Sequence, residues 1–158
     1  MTNRKDCDQR DEILTPLMFS VPGVPVAQPR VKATSRGKHT RVYTPTKNAK
    51  GASNGIVEFK EAVKLAAAQF QGRLIAGPIS IDLKFIFPRP KYAIWKNRPM
   101  PRIYKTTKPD IDNLFKAATD AMTGIIWEDD DQICVNRSSK WFAAAGEEPH
   151  VEVQIIAL

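Results

Sequence analysis

The sequence predicts an α+β domain: a small mixed or antiparallel sheet with two helices packed on one face. Three observations lead there. Two segments repeat apolar residues at three- and four-residue steps, the helical period. Two others, 79–87 and 151–157, alternate apolar with polar residues, the period of a half-buried strand. Proline- and glycine-rich turns separate them, giving the order β–loop–α–β–loop–α–β–β.

Residues 1–15 are polar with few large apolar side chains, so they are expected to form a flexible tail before a single domain at 16–158. LMFSVPGVPV (17–26) reads as a strand entering a Pro/Gly turn, and 27–50 as a basic, turn-rich segment with 41–44 extended. A helix follows, with Val57, Ala62, Val63, Ala66, Ala67 and Phe70 as its stripe and Gly72 as its stop. In ISIDLKFIF, Ile79, Ile81, Leu83, Phe85 and Phe87 share one face. Residues 89–109 form a second basic loop with four prolines. The second helix is expected from Asn113 to Thr123, with Leu114, Ala117, Ala118, Ala121 and Met122 inward and Gly124 at its end. Strands at 132–143 and 151–158 flank a GEEPH turn.

The chain has 158 residues, 42% hydrophobic and 26% charged, an ordinary balance for one soluble globular domain. No run approaches the ~18 apolar residues of a membrane span. The amino-terminal segment lacks the apolar core of a secretory signal, so a cytoplasmic location is expected. Cys7 and Cys134 form no CxxC pair and are expected to be free thiols. His39 and His150 stand alone, without the spacing of a zinc site.

The net charge is +7 and is unevenly distributed. From Ile13 to Val57 there is no acid, and Arg30, Lys32, Arg36, Lys38, Arg41, Lys47 and Lys50 fall inside. Leu83 to Pro109 is also acid-free and includes Arg89, Lys91, Lys96, Arg98, Arg102, Lys105 and Lys108. Solvated surfaces mix signs, so unmixed basic segments point to a polyanion; the alternative is basic loops with no ligand.

Seven acids gather instead in KPDIDNLFKAATDAMTGIIWEDDD, residues 108–131. Pro109 disfavours helix at Lys108, so the chain enters extended, and Asp110 and Asp112 point to one side. A helix starting at Asn113 puts Asp112 at its N-cap and Lys116 four residues on, while Asp120 reads as a surface or packing ion pair. Packed as neighbours, this helix and the next strand would return Glu128–Asp131 to the same point. Clustered carboxylates need a cation, and an oxygen-rich set suits Mg²⁺. Between basic arms, that chemistry is phosphodiester hydrolysis. Two alternatives stay open: a non-catalytic basic nucleic-acid binder with structural acids, or other metal-dependent phosphate chemistry.

KPDIDNLFKAATDAMTGIIWEDDDQI resembles the core signature of the RusA-like Holliday junction resolvases, the crossover junction endodeoxyribonucleases. Asp110, Asp112, Asn113, Leu114 and Lys116 match its acid-x-acid-Asn-Leu-x-Lys run. Ala117, Ala118, Asp120, Ala121 and Gly124 match its helix, and Trp127, Asp129, Asp130 and Gln132 its DDxQ ending. PRVKATSRGKHTRVYTPTK resembles the basic segment of phage and Gram-positive members, and the likeness runs over 17–157. It implies a homodimer, bacterial or phage-encoded, that cuts four-way DNA junctions by paired symmetric nicks in recombination and repair. It implies Mg²⁺ or Mn²⁺ on Asp110, Asp112 and Asp130, Asp129 as a possible additional acid, Lys116 as catalytic lysine, and no nucleotide cofactor. Phosphate contacts are expected from Arg30, Lys32, Arg36, Lys38, Arg41, Lys105 and Lys108. Tyr43, Trp95 or Tyr104 would stack on an unpaired base or pack in the core; Trp127 and Trp141 are expected in the core. A nuclease acting on flaps or forks is the neighbouring alternative.

Overall fold

The computed structural model describes residues 15–48 and 50–158. The tail expected at 1–15 therefore lies outside the described residues except for Thr15. The elements are β1 (Leu17–Pro22), β2 (Lys32–Arg36), β3 (His39–Tyr43), α1 (Ile56–Ala67), β4 (Ile79–Phe87), β5 (Ile103–Tyr104), α2 (Ile111–Met122), β6 (Ile133–Phe142) and β7 (His150–Ala157). Five strands form a sheet in the order β1-β7-β4-β6-β5, and β2 and β3 form a separate two-stranded ribbon. The main sheet is mixed: β4 and β6 run parallel, and its other pairs are antiparallel.

Alternation decides the core. Ile79, Ile81, Leu83, Phe85 and Phe87 of β4 face the same buried layer as Val151, Val153 and Ile155 of β7. Both helices cover that face. α2 buries Leu114, Ala117, Ala118, Ala121 and Met122, the stripe the sequence predicts. α1 buries Ile56, Phe59, Val63 and Ala67, with Ala62, Ala66 and, just past its end, Phe70 packed against the same core; of the predicted stripe only Val57, 50% exposed, departs. Gly55, the N-cap residue, is left-handed (φ 77°), a conformation glycine adopts without strain.

Besides the two-residue β5, which lies in the segment read as a basic loop, two features depart from the sequence reading. The basic segment at 27–50 carries the β2–β3 hairpin, closed by a two-residue Gly37–Lys38 turn with Gly37 at φ 65°. All ten strand residues are exposed, so no apolar pattern marks it. The second departure is Trp141. It is only half-buried and stacks on Tyr104 at 3.9 Å across the β5–β6 edge, whereas Trp127 is fully buried as expected.

The opposite face of the sheet carries an ionic network. Arg102 binds Glu147 and Glu152, with Nε at 2.9 Å from Glu147 Oε1 and Nη2 at 2.6 Å from Glu152 Oε1. Lys84 adds a contact to Glu152 at 3.3 Å. Hydrogen bonding by Arg102 holds the Glu152 carboxyl down at about 2, against burial, and also lowers Glu147. A depressed carboxyl contributes stability that is complete above its unfolded value of 4.5 and is lost as pH falls toward 2. Urea midpoints measured across pH 2 to 7 should fall through this window, and Glu152→Gln should flatten that part of the profile.

Candidate active site

α2 begins at Ile111, two residues before the expected start, so Asp110 is the N-cap residue (φ −72°, ψ 143°) and Asp112 lies in the first turn. Extended alternation therefore does not align the two carboxylates. They sit instead around the open amide end of α2, where unpaired N–H groups and the helix dipole favour anions. The Asp110 side chain is 48% exposed, with Arg30 Nη2 at 3.9 Å, and Asp112 is exposed. The Gln28 amide donates to the Asn113 carbonyl at 2.8 Å, which ties the root of the β2–β3 ribbon to this turn.

Two inward lysines shape the approach to Asp110. Lys105 Nζ donates to Thr107 Oγ1 (2.6 Å), Thr107 O (3.2 Å) and Lys108 O, and lies 5.1 and 5.2 Å from the ring centres of Phe87 and Phe142. An ammonium has three donors, and all three are engaged here. Burial and the neighbouring charge of Lys140 lower the Lys105 pKa. Lys105 is thus a loop support, not a free phosphate ligand as the sequence reading has it. Lys140 donates to Pro109 O (2.7 Å) and Thr107 O (3.0 Å), a role the sequence reading missed. The signal was strand alternation: Lys140 pairs with Phe85, and Phe142 with Phe87, on the buried side of the sheet. Lys108, Arg30, Lys32, Arg36, Lys38 and Arg41 are all exposed.

Lys116 stands one turn after Asp112 but contacts Asp120 Oδ1 at 3.2 Å. Asp120 also binds Lys60 of α1 at 3.1 Å, so it is a helix–helix ion pair. Of the aromatic residues proposed for stacking, Tyr104 is 68% exposed and Tyr43 is exposed. Trp95 is half-buried between the guanidiniums of Arg98 (3.9 Å) and Arg89 (5.3 Å).

WEDDDQ builds the entry to β6. Asp130 Oδ1 accepts from Thr123 Oγ1 and from the buried Trp127 Nε1 (3.2 Å). Asp129 Oδ1 accepts from the Asp131 amide at 3.1 Å. Gln132 fastens two segments: Nε2 donates to Ile75 O (2.8 Å) and Gly77 O (2.9 Å), and Oε1 accepts from the amides of Glu128 (2.9 Å) and Asp129 (3.1 Å).

This placement corrects the expected convergence of the acids. Asp130 is bound to Thr123, just past the carboxyl end of α2, whereas Asp110 and Asp112 are at its amino end. Eleven residues of helix rise about 16 Å, far beyond the reach of aspartate side chains. One chain does not bring the three aspartates together. Among the described residues, three potential ligand atoms do gather at Glu147, His150 and Glu152, within 4.8 Å of one another. Arg102 already supplies the cation there.

Asp110 and Asp112 offer open carboxylate oxygens beside a helix amino end, a donor set that fits a hard divalent cation. Asp130 is oriented by two donors with its second oxygen left over, as ligating carboxylates usually are. Gln132→Ala removes four bonds at a half-buried position and should cost about 1–3 kcal/mol, read as a lower urea midpoint with an unchanged slope.

The family model for endodeoxyribonuclease RusA matches residues 22–156. An uncharacterized protein of Bacillus subtilis (strain 168), YqaN, is 34% identical over 145 residues, covering 88% of this chain and 94% of its own. The acid-flanked amino end of α2, the exposed basic ribbon beside it and this match over nearly the whole fold lead to one assignment: the chain belongs to the RusA endodeoxyribonuclease family.

Proposed function

We propose that the protein is a Mg²⁺- or Mn²⁺-dependent endonuclease that resolves four-way DNA junctions by paired symmetric nicks, in recombination and repair. The observation that carries this reading is the open carboxylate pair Asp110–Asp112 at the amino end of α2, with the cationic ribbon rooted beside it. The domain at 16–158 acts as one catalytic unit, in the cytoplasm and without a nucleotide cofactor. Among the described residues, no helix is long and apolar enough to cross a membrane.

Asp110, Asp112 and Asp130 would hold the metal, with Asp129 shaping the turn beside Asp130. When bound, the cation activates a water for attack and neutralises charge at the leaving oxygen. Lys116 swings from Asp120 to a phosphate oxygen one helical turn from Asp112. Arg30, Lys32, Arg36, Lys38, Arg41 and Lys108 contact backbone phosphates, while Lys105 and Lys140 hold the loop that aims Asp110. The helix length that separates the acids in one chain supports a homodimer in which each site combines Asp110 and Asp112 of one copy with Asp130 of the other. Two such sites also suit a substrate that is nearly two-fold symmetric.

Asp110→Asn should lower Mg²⁺-dependent nicking of a labelled four-way junction by about 100-fold or more, while junction affinity stays equal or rises. Full activity in that variant would sink the site assignment, and equal cutting of flaps or forks would broaden the substrate. The separation of the acids in one chain also favours a second reading, a DNA binder without catalysis. Nicking by the wild-type protein decides between them, and mixed dimers test the shared site. Asp110→Asn and Asp130→Asn chains, each inactive alone, should regain nicking when mixed, because one site per mixed dimer is intact; continued inactivity would rule out shared sites.

A further inference from the structure

We infer that the β2–β3 hairpin is a one-sided ribbon that lies along a duplex arm of the DNA substrate, with Lys32, Arg36 and Arg41 on its phosphates. This rests on the DNA-cutting reading above and deepens it, by saying which face of the ribbon meets phosphates and on which part of the substrate.

Register defines the two sides. Directly paired residues of an antiparallel ribbon share a face, and successive pairs alternate. Lys32↔Tyr43, Thr34↔Arg41 and Arg36↔His39 therefore share one face, and Ala33↔Val42 and Ser35↔Thr40 the other. All three Lys and Arg residues of the two strands are on the first face. The second face is small and uncharged, with Ser35 and Thr40 hydrogen-bonded at 3.2 Å. Random placement of basic residues for solubility has no reason to be one-sided.

Among the described residues, none buries a strand residue of this ribbon. All its strand residues are exposed, and an isolated two-stranded hairpin is only marginally stable in water, so a partner surface is needed to hold it. The cationic face identifies that partner as a polyanion. Along the ribbon the cations recur in the order Lys32, Arg41, Arg36, one at each two-residue step. Each step spans about 6.8 Å, close to two base-pair rises of 3.4 Å. A two-stranded ribbon also fits the major groove of B-form DNA. We assign Lys32, Arg36 and Arg41 to phosphates, the contacts that position a protein on a duplex; the face carries no Asn or Gln to read adenine.

The roots fix its origin and reach. On one side Gln28 is bonded to the first turn of α2, and Arg30 reaches Asp110. On the other, Asn54 before α1 bonds the carbonyls of Pro45 (2.9 Å) and Thr46 (3.1 Å). The ribbon thus starts beside Asp110 and extends five residues, about 17 Å. Its tip contacts duplex roughly five base pairs from the bond being cut.

The test measures binding of a long-armed four-way junction in EDTA across a salt series, with hydroxyl-radical footprinting. Lys32→Gln/Arg36→Gln/Arg41→Gln should reduce the log–log salt slope by up to about 2.7, or 0.9 per phosphate contact. It should also lose backbone protection about four to six nucleotides from the cut while keeping protection at the branch. Ala33→Gln/Val42→Gln, on the opposite face, should leave both unchanged. Equal losses from the two variants, or an unaltered slope in the first, would overturn the ribbon. Nicking in Mg²⁺ separates the two claims. Wild-type protein that protects the arm without nicking supports the ribbon and removes the nuclease reading. Wild-type nicking with an unchanged slope in the triple variant does the reverse.

Discussion

Burial of the α2 stripe against the central sheet determines where the acidic side chains go. Leu114, Ala117, Ala118, Ala121 and Met122 leave α2 no freedom to rotate, and the alanines let it approach α1 and the sheet closely. A packed helix is also a rigid spacer. Its amino end presents Asp110 and Asp112, and its carboxyl end meets Asp130 through Thr123. The packing that stabilises the fold thus keeps the two acidic groups apart within one chain, where their mutual repulsion would otherwise be greatest.

Charge is handled differently on the two sides of the sheet. Arg102 closes off Glu147 and Glu152 in a network that satisfies its own charges and serves the fold. Lys105 and Lys140 turn inward and are held by carbonyls of the 107–109 loop, so they act on Asp110 through the backbone that carries it. The cations of the ribbon and its root, and Lys108 beside Asp110, are open to solvent. Basic residues of one composition therefore divide into those held by acceptors within the fold and those left open, according to what surrounds them.

β1, β4, β6, β7 and both helices were readable in the sequence, most clearly where one face is buried and burial imposes a period of two or of three to four; the two-residue β5 lay in a segment read as a loop. β4 and α2 follow this closely: every inward position foreseen for them is buried. α1 follows it at every foreseen position but Val57, which is half exposed while its neighbour Ile56 takes the buried place. The β2–β3 ribbon left no periodic mark because neither of its faces is buried. Trp141 looked like core by hydrophobicity, yet the short edge strand β5 leaves it stacked on an exposed Tyr104.

By itself, the sequence determined the fold class, the acidic and basic segments and the family, because local periodicity, charge and motif spacing are properties of the chain read in order. Only the tertiary structure decided the start of α2, the inward turn of Lys105 and Lys140, the one-sidedness of the ribbon and the distance between Asp112 and Asp130. Each of these depends on which side of a packed element a residue lies and how long that element is. Proximity in sequence does not carry that information, since 12 residues of helix place neighbouring motifs at opposite ends of a rigid rod.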